Sequence, residues 1–252
     1  MTLEHSITTD FLVHYYEADQ QGDARPVALL NYLQSAAGDH ARSLGVSVAD
    51  LLKSGHTWVL SRVHLQLDRV PRVRETVSIC TWPVSRETVF TVRDFELRDA
   101  SGAQIGRATT SWAVLNVASR RPARLSDVLP DYPLHPHRAL EDSFASLPVL
   151  EVSRDELRLP VLRGDVDMNR HVNNTVYAGW ALETVPQEVA ETCRLSSIEI
   201  GFRAEALYGD TIVARSAPAG DDPDCFLHRI DNAADGRELA RLRTRWTTRE
   251  QP

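Results

Sequence analysis

The sequence predicts an α+β fold built twice on one plan, a long helix followed by an antiparallel sheet. Three observations carry this. A helix-period apolar stripe (Leu29, Leu33, Ala37, Leu44) gives way to strand-period alternation at Val63, Leu65 and Leu67. The same order of elements recurs in the second half of the 252-residue chain. SRVHLQLDRVPRVRETVSICTW also runs parallel to SSIEIGFRAEALYGDTIVARSA. Val63 falls against Ile198, Glu75 against Asp210 and Thr76 against Thr211, all at one offset of 135 residues.

The elements follow in order. In DARPVALLNYLQSAAGDHARSLGV, Pro26 suits a first helical turn, Asp23 is placed to cap it and Gly45 to end it. TVSICTWPV, TVFTVRDFELRD and IGRATTSWAVLNV are rich in β-branched and aromatic residues and read as strands. DASGAQ (Asp99 to Gln104) is turn chemistry between two of them. From about Arg121 the pattern dissolves into RPARLSDVLPDYPLHPHRALEDSFASLP, which holds five prolines and reads as a linker. Then a short strand, LRLPVLR, leads to a polar motif and a helix candidate, NNTVYAGWALETVPQEV. Near the end RLRTRWTTR parallels RATTSWAVLN, with Trp246 against Trp112.

A helix whose sheet follows it directly buries its stripe when the sheet curls round it. Two such units side by side would join their edge strands. That architecture is the tandem, or double, hotdog. The boundaries expected are 1–125 for the first unit, 126–150 for the linker and 151–252 for the second.

Composition narrows the function. Hydrophobic residues at 42% and charged residues at 25% suit a globular chain. A net charge of −7 does not favour a nucleic-acid partner. No apolar run approaches membrane-spanning length, MTLEHSITTD lacks the pattern of a signal peptide, and Cys80, Cys193 and Cys225 form no disulfide framework. A cytoplasmic chain is the expectation.

The chemistry concentrates in DVDMNRHVNNTVYAGW, Asp165 to Trp180. Part of it is structural, since Asn173 or Asn174 can cap the helix and Asp165 and Asp167 favour its positive end. A cap uses one or two side chains, and this cluster holds more. A helix N-terminus also offers N–H groups to an oxyanion, a His transfers protons near neutral pH, and an Asn orients water. These parts suit hydrolysis of an activated acyl group. A single His without a thiolate pair does not suit a metal, and no GxSxG elbow is present.

DVDMNRHVNNTVYAGWALETVP resembles the signature of the acyl-acyl-carrier-protein (acyl-ACP) thioesterases of plant-plastid and bacterial type. The resemblance extends through LLNYLQSAAGDHARSLGVS, TWVLSRVHLQLDRVPR and WPVSRETVFTVRDFELRD to nearly the whole chain. It implies a tandem hotdog and hydrolysis of fatty acyl-ACP without a cofactor. It implies Asp167, Asn169 and His171 as catalytic residues; Asn173, Asn174 and the backbone at the helix start are placed to serve the oxyanion. The family's Tyr-Arg-Arg-Glu-Cys segment, downstream in the sheet, corresponds to Phe202-Arg203-Ala204-Glu205-Ala206. Its glutamate falls on Glu205, and the cysteine once considered a nucleophile falls on Ala206, so water or Glu205 itself has to attack the thioester.

The first half lacks this set. At an offset of 148, Asp167 meets Asp19, Asn169 meets Gln21 and His171 meets Asp23, while Glu205 meets Val70 along the strands. The first half is therefore expected to shape the acyl pocket and the second to catalyse. The partner implied is an acidic carrier protein bearing an acyl-phosphopantetheine, which a basic face would receive. RVPRVR, SRRPAR and RLRTR supply candidate arginines. The competing readings are an acyl-CoA thioesterase, a hotdog dehydratase and a non-catalytic acyl-binding module. A monomer or a homodimer suits a chain that already carries both halves.

Overall fold

The computed structural model describes residues 5–168 and 170–249. It divides into two compact units, Met1–Phe144 and Ala145–Pro252.

The first unit runs β1 (Ile7–Leu12), α1 (Pro26–Ser43), α2 (Val48–Leu52), β2 (His56–Leu67), β3 (Thr76–Arg86), β4 (Phe90–Arg98), β5 (Gln104–Asn116) and α3 (Leu125–Val128). Its strands pair antiparallel in the order β1-β3-β4-β5-β2. Helix α1 lies against β3 and β1 and buries Leu29 and Ala36 completely. Burying one leucine in this way contributes roughly 2–3 kcal/mol. The helix stops where Gly45 takes φ +71°, and the Val46 N–H turns back to the Ala41 carbonyl. Its N-cap is Arg25, without a side-chain bond, and not Asp23. The Asp23 backbone is drawn instead into a bridge with Arg72. The DASGAQ turn forms as expected, with Asp99 Oδ1 accepting from the N–H groups of Ser101 and Ala103.

The second unit runs β6 (Asp155–Pro160), α4 (Asn174–Leu182), α5 (Gln187–Thr192), β7 (Cys193–Phe202), β8 (Thr211–Ala219), β9 (Asp222–Asn232) and β10 (Glu238–Thr248). Its order, β7-β10-β9-β8-β6, repeats that of the first unit strand for strand. The correspondence reaches single bonds. The Trp112 indole N–H donates to Thr110 at 2.9 Å and that of Trp246 to Thr244 at 3.1 Å. The helix expected to run on through Val189 is broken into α4 and α5, with Pro186 as the N-cap of α5. Proline offers no N–H and disfavours helical backbone in the residue before it. Among the described residues no helix is long and apolar enough to cross a membrane.

His40 and His228 are sealed inside their units. His228 on β9 is 1% exposed and lies between the Thr184 and Thr244 hydroxyls. Burial pushes its pKa down from 6.5 to about 3. His40 on α1 is lowered to about 4, first by burial and then by the Arg93 guanidinium. Arg93 donates to His40 Nδ1 at 2.9 Å, which requires an unprotonated ring nitrogen. Both rings are neutral in the folded chain and take a proton more readily when it unfolds. Their stability contribution is thus complete above about pH 6.5. It is lost as pH falls towards about 4 for His40 and about 3 for His228, each group approaching about 1.4 kcal/mol per pH unit. Thermal melts between pH 7 and pH 5 are expected to show a falling melting temperature. The fall should be shallower in His228→Gln; an equal slope in the two proteins would contradict a buried neutral His228.

Candidate active site

The polar motif closes on itself before the helix begins. After a 3-10 turn at Arg163–Asp165, Val166 and Val172 form a β-bridge. Between them the Asp167 N–H donates to the His171 carbonyl at 2.9 Å and the Arg170 N–H to the Asp167 carbonyl at 3.0 Å. These bonds close a tight loop between Val166 and Val172. Arg170 makes the turn with φ +67°. The Asn173 N–H donates to the Asp165 carbonyl at 2.8 Å, and the Leu162 N–H donates to the Asp165 carboxylate at 2.7 Å. Asp165 is thus a brace of the turn.

Helix α4 starts at the expected place. Asn173 is the N-cap, and its Oδ1 accepts from the N–H and hydroxyl of Thr175. Asn174 is the first helical residue. Asn169 lies outside the described residues.

A backbone bond joins this loop to the segment after β7. The Val172 N–H donates to the Ala206 carbonyl at 3.2 Å. Glu205 sits beside Ala206 in the segment after β7, just beyond the sheet rather than inside a strand. The latch brings His171 and Glu205 together across 34 residues, with Nδ1 and Oε1 3.4 Å apart. Their side chains are 35% and 34% exposed, so water reaches both. A carboxylate on a ring nitrogen orients the imidazole and lets a proton pass between the two. Arg163 stacks over Tyr208 with its guanidinium carbon 4.4 Å from the ring centroid, and Met168, Leu162 and Leu207 stand exposed.

No described thiol joins this contact. Ala206 is fully buried, Cys193 opens β7 at its far end, and Cys225 lies on β9 with its thiol pushed up by burial.

The first unit holds the same backbone frame with different side chains. Ala18 bridges Ala24, the Asp19 N–H donates to the Asp23 carbonyl at 2.8 Å, and the Gly22 N–H donates to the Asp19 carbonyl at 3.1 Å. The Ala24 N–H latches onto the Pro71 carbonyl at 2.8 Å. Asp23 stands at the place of His171, and Val70 at that of Glu205. The Asp19 carboxylate accepts from the N–H groups of Gln21 and Asp23, within its own loop. Two features of the second unit are missing from the sequence reading: the left-handed Arg170 and the buried Tyr177. The glycine at the matching position, Gly22 with φ +82°, was the available signal for the first.

Comparison with known proteins agrees with this fold. Residues 4–132 match the acyl-ACP thioesterase N-terminal domain, and residues 151–248 match the acyl-ACP thioesterase C-terminal domain. Oleoyl-acyl carrier protein thioesterase 1, chloroplastic, of Arabidopsis thaliana is 31% identical over 94% of this chain and 74% of its own length. The crystal structure of an acyl-ACP thioesterase from Bacteroides thetaiotaomicron superposes with a TM-score of 0.83 at 27% identity, covering 96% of this chain and 98% of that one. The 12:0-ACP thioesterase from Umbellularia californica shares the fold, with a TM-score of 0.85 at 24% identity over 99% and 100% of the two chains.

The two loops predict opposite responses to the same exchange. A non-glycine residue in left-handed backbone costs on the order of 1–2 kcal/mol. A Cβ on Gly22 would meet nothing closer than 3.5 Å, so its cost there is the backbone's alone. Thermal melts are expected to show Gly22→Ala destabilised by about 1 kcal/mol or more and Arg170→Gly stabilised by up to about 1 kcal/mol. A destabilised Arg170→Gly would contradict the strain.

Proposed function

The chain belongs to the acyl-ACP thioesterase family, and on that premise we propose that its second unit hydrolyses fatty acyl-ACP with Glu205 and His171 as the working pair. The contact between His171 Nδ1 and Glu205 Oε1 at the mouth of α4 carries this reading.

In the proposed reaction, water attacks the thioester carbonyl while Glu205 and His171 take its proton. The carbonyl oxygen gains charge and is met by the start of α4. There the Thr175 N–H is already taken by Asn173, and the Val176 N–H donates to the Asn173 carbonyl, so the oxyanion assignment falls on the Asn174 N–H. The tetrahedral intermediate then expels the carrier's pantetheine sulfur, which receives the proton held by the pair and leaves as a thiol. The fatty acid carries the oxygen of water. Asn169, by its place in the motif, orients the water or the carbonyl. Asp167, by its place in the motif, positions Asn169 or His171, and its backbone closes the loop that ends in His171. No cysteine acyl-enzyme is needed, consistent with Ala206 beside Glu205.

We assign the first unit no chemical step, because Gln21, Asp23 and Val70 occupy the matching positions; its part is to shape the acyl-binding region. Among the arginines of the basic stretches, Arg69, Arg241, Arg243 and Arg245 are each ion-paired with a carboxylate of their own unit. Such paired charges are poor docking cations for an acidic carrier. A reducing, cytoplasmic setting is part of the same proposal and is supported by the three free cysteines.

The test is steady-state turnover of acyl-ACP. Glu205→Ala and His171→Ala are each expected to lower kcat/KM by on the order of 100-fold or more, with the melting temperature nearly unchanged. Full activity in both variants would remove this site from the reaction.

A further inference from the structure

We infer that Tyr177 is the positioning residue for Glu205, clasping the backbone on both sides of it with one phenol oxygen. The inference rests on the reading of Glu205 as the working carboxylate and adds what holds it.

Tyr177 lies on α4 and is 3% exposed. The Ala206 N–H donates to its hydroxyl oxygen at 2.8 Å, and its O–H points to the Ala204 carbonyl at 3.5 Å. Glu205 is the residue between these two partners. The ring is itself fixed, edge-on to Phe202 at the end of β7, with centroids 5.6 Å apart, and against Trp180 at 5.2 Å. A residue whose neighbours are tied to one rigid side chain has little freedom to turn its carboxylate away from His171. Burial, then the negative charge of Glu205, raises the Tyr177 pKa to about 12. The phenol therefore stays protonated at neutral pH, able to accept from Ala206 and to donate to Ala204.

The first unit shows that the fold does not require this phenol. At the offset of the helices Tyr177 is matched by Leu29, and at the offset of the strands Ala206 is matched by Pro71. Leucine has no hydroxyl and proline no N–H. The latch nevertheless forms there, from the Ala24 N–H to the Pro71 carbonyl at 2.8 Å. Donor and acceptor of the clasp are present together in the unit that carries Glu205, and both are absent where Val70 takes its place.

The test is a kinetic cycle with Tyr177→Phe, which keeps the ring and removes the oxygen. Turnover of acyl-ACP is measured in the full chain with Glu205 and in the Glu205→Ala background, with melting temperatures recorded alongside. With Glu205 present, kcat is expected to fall roughly tenfold while KM stays within about twofold and the folded fraction is unchanged. In the Glu205→Ala background the same substitution is expected to cost nothing further. A kcat kept within about twofold, an equal loss in both backgrounds, or a loss that vanishes when rates are scaled to folded protein would overturn the clasp. Full activity of Glu205→Ala alone would instead overturn the catalytic reading beneath it, and the inference with it.

Discussion

The hydrogen bond from the Val172 N–H to the Ala206 carbonyl joins the loop at the mouth of α4 to the segment leaving β7. A bond of this kind contributes only about 1 kcal/mol net, so its importance is geometric. His171 and Glu205 lie 34 residues apart in sequence, on segments that make no ladder with one another. The latch sets one residue from each side within reach: His171 precedes Val172, and Glu205 precedes Ala206. The Val166–Val172 bridge, the Asn173 cap and the Tyr177 phenol all hold the two sides of that bond in register.

Comparison of the two units separates frame from function. The bridge, the loop bonds, the latch and the helix start recur in both, because they are backbone features that many side chains satisfy. The residues proposed to do the chemistry appear once. Asp23 replaces the imidazole, Val70 replaces the carboxylate and Leu29 replaces the phenol. Gly22 replaces the strained Arg170, so the unit proposed to carry the chemistry is also the one with the less relaxed loop. Strain of this sort is expected where side-chain placement outranks stability.

Much of this is legible in the sequence. Period changes, together with Pro26 and Gly45, mark α1 and its sheet, and the common offset of 135 residues reveals the duplication. The motif's density is the reason the chemistry is proposed for the second unit, and family resemblance carries Glu205 into the proposed set. Other features are not legible. The break at Pro186 was available from proline's missing N–H, but apolar periodicity on either side conceals it. The turn before α4 is hidden because residue types do not report a single left-handed residue such as Arg170. Tyr177 reads as one more core aromatic, since its partners are backbone groups and leave no trace in side-chain pattern. Asp23 satisfies the rule for a helix cap, yet the bridge to Arg72 takes its backbone elsewhere.

The central claim is that His171 and Glu205 act as one unit across the latch. A double-mutant cycle on single-turnover hydrolysis of acyl-ACP measures this directly, using His171→Ala, Glu205→Ala and the double variant. Residues acting together give a double variant no more than about threefold slower than the slower single variant. Losses that multiply in full would contradict the account, because each residue would then contribute without the other.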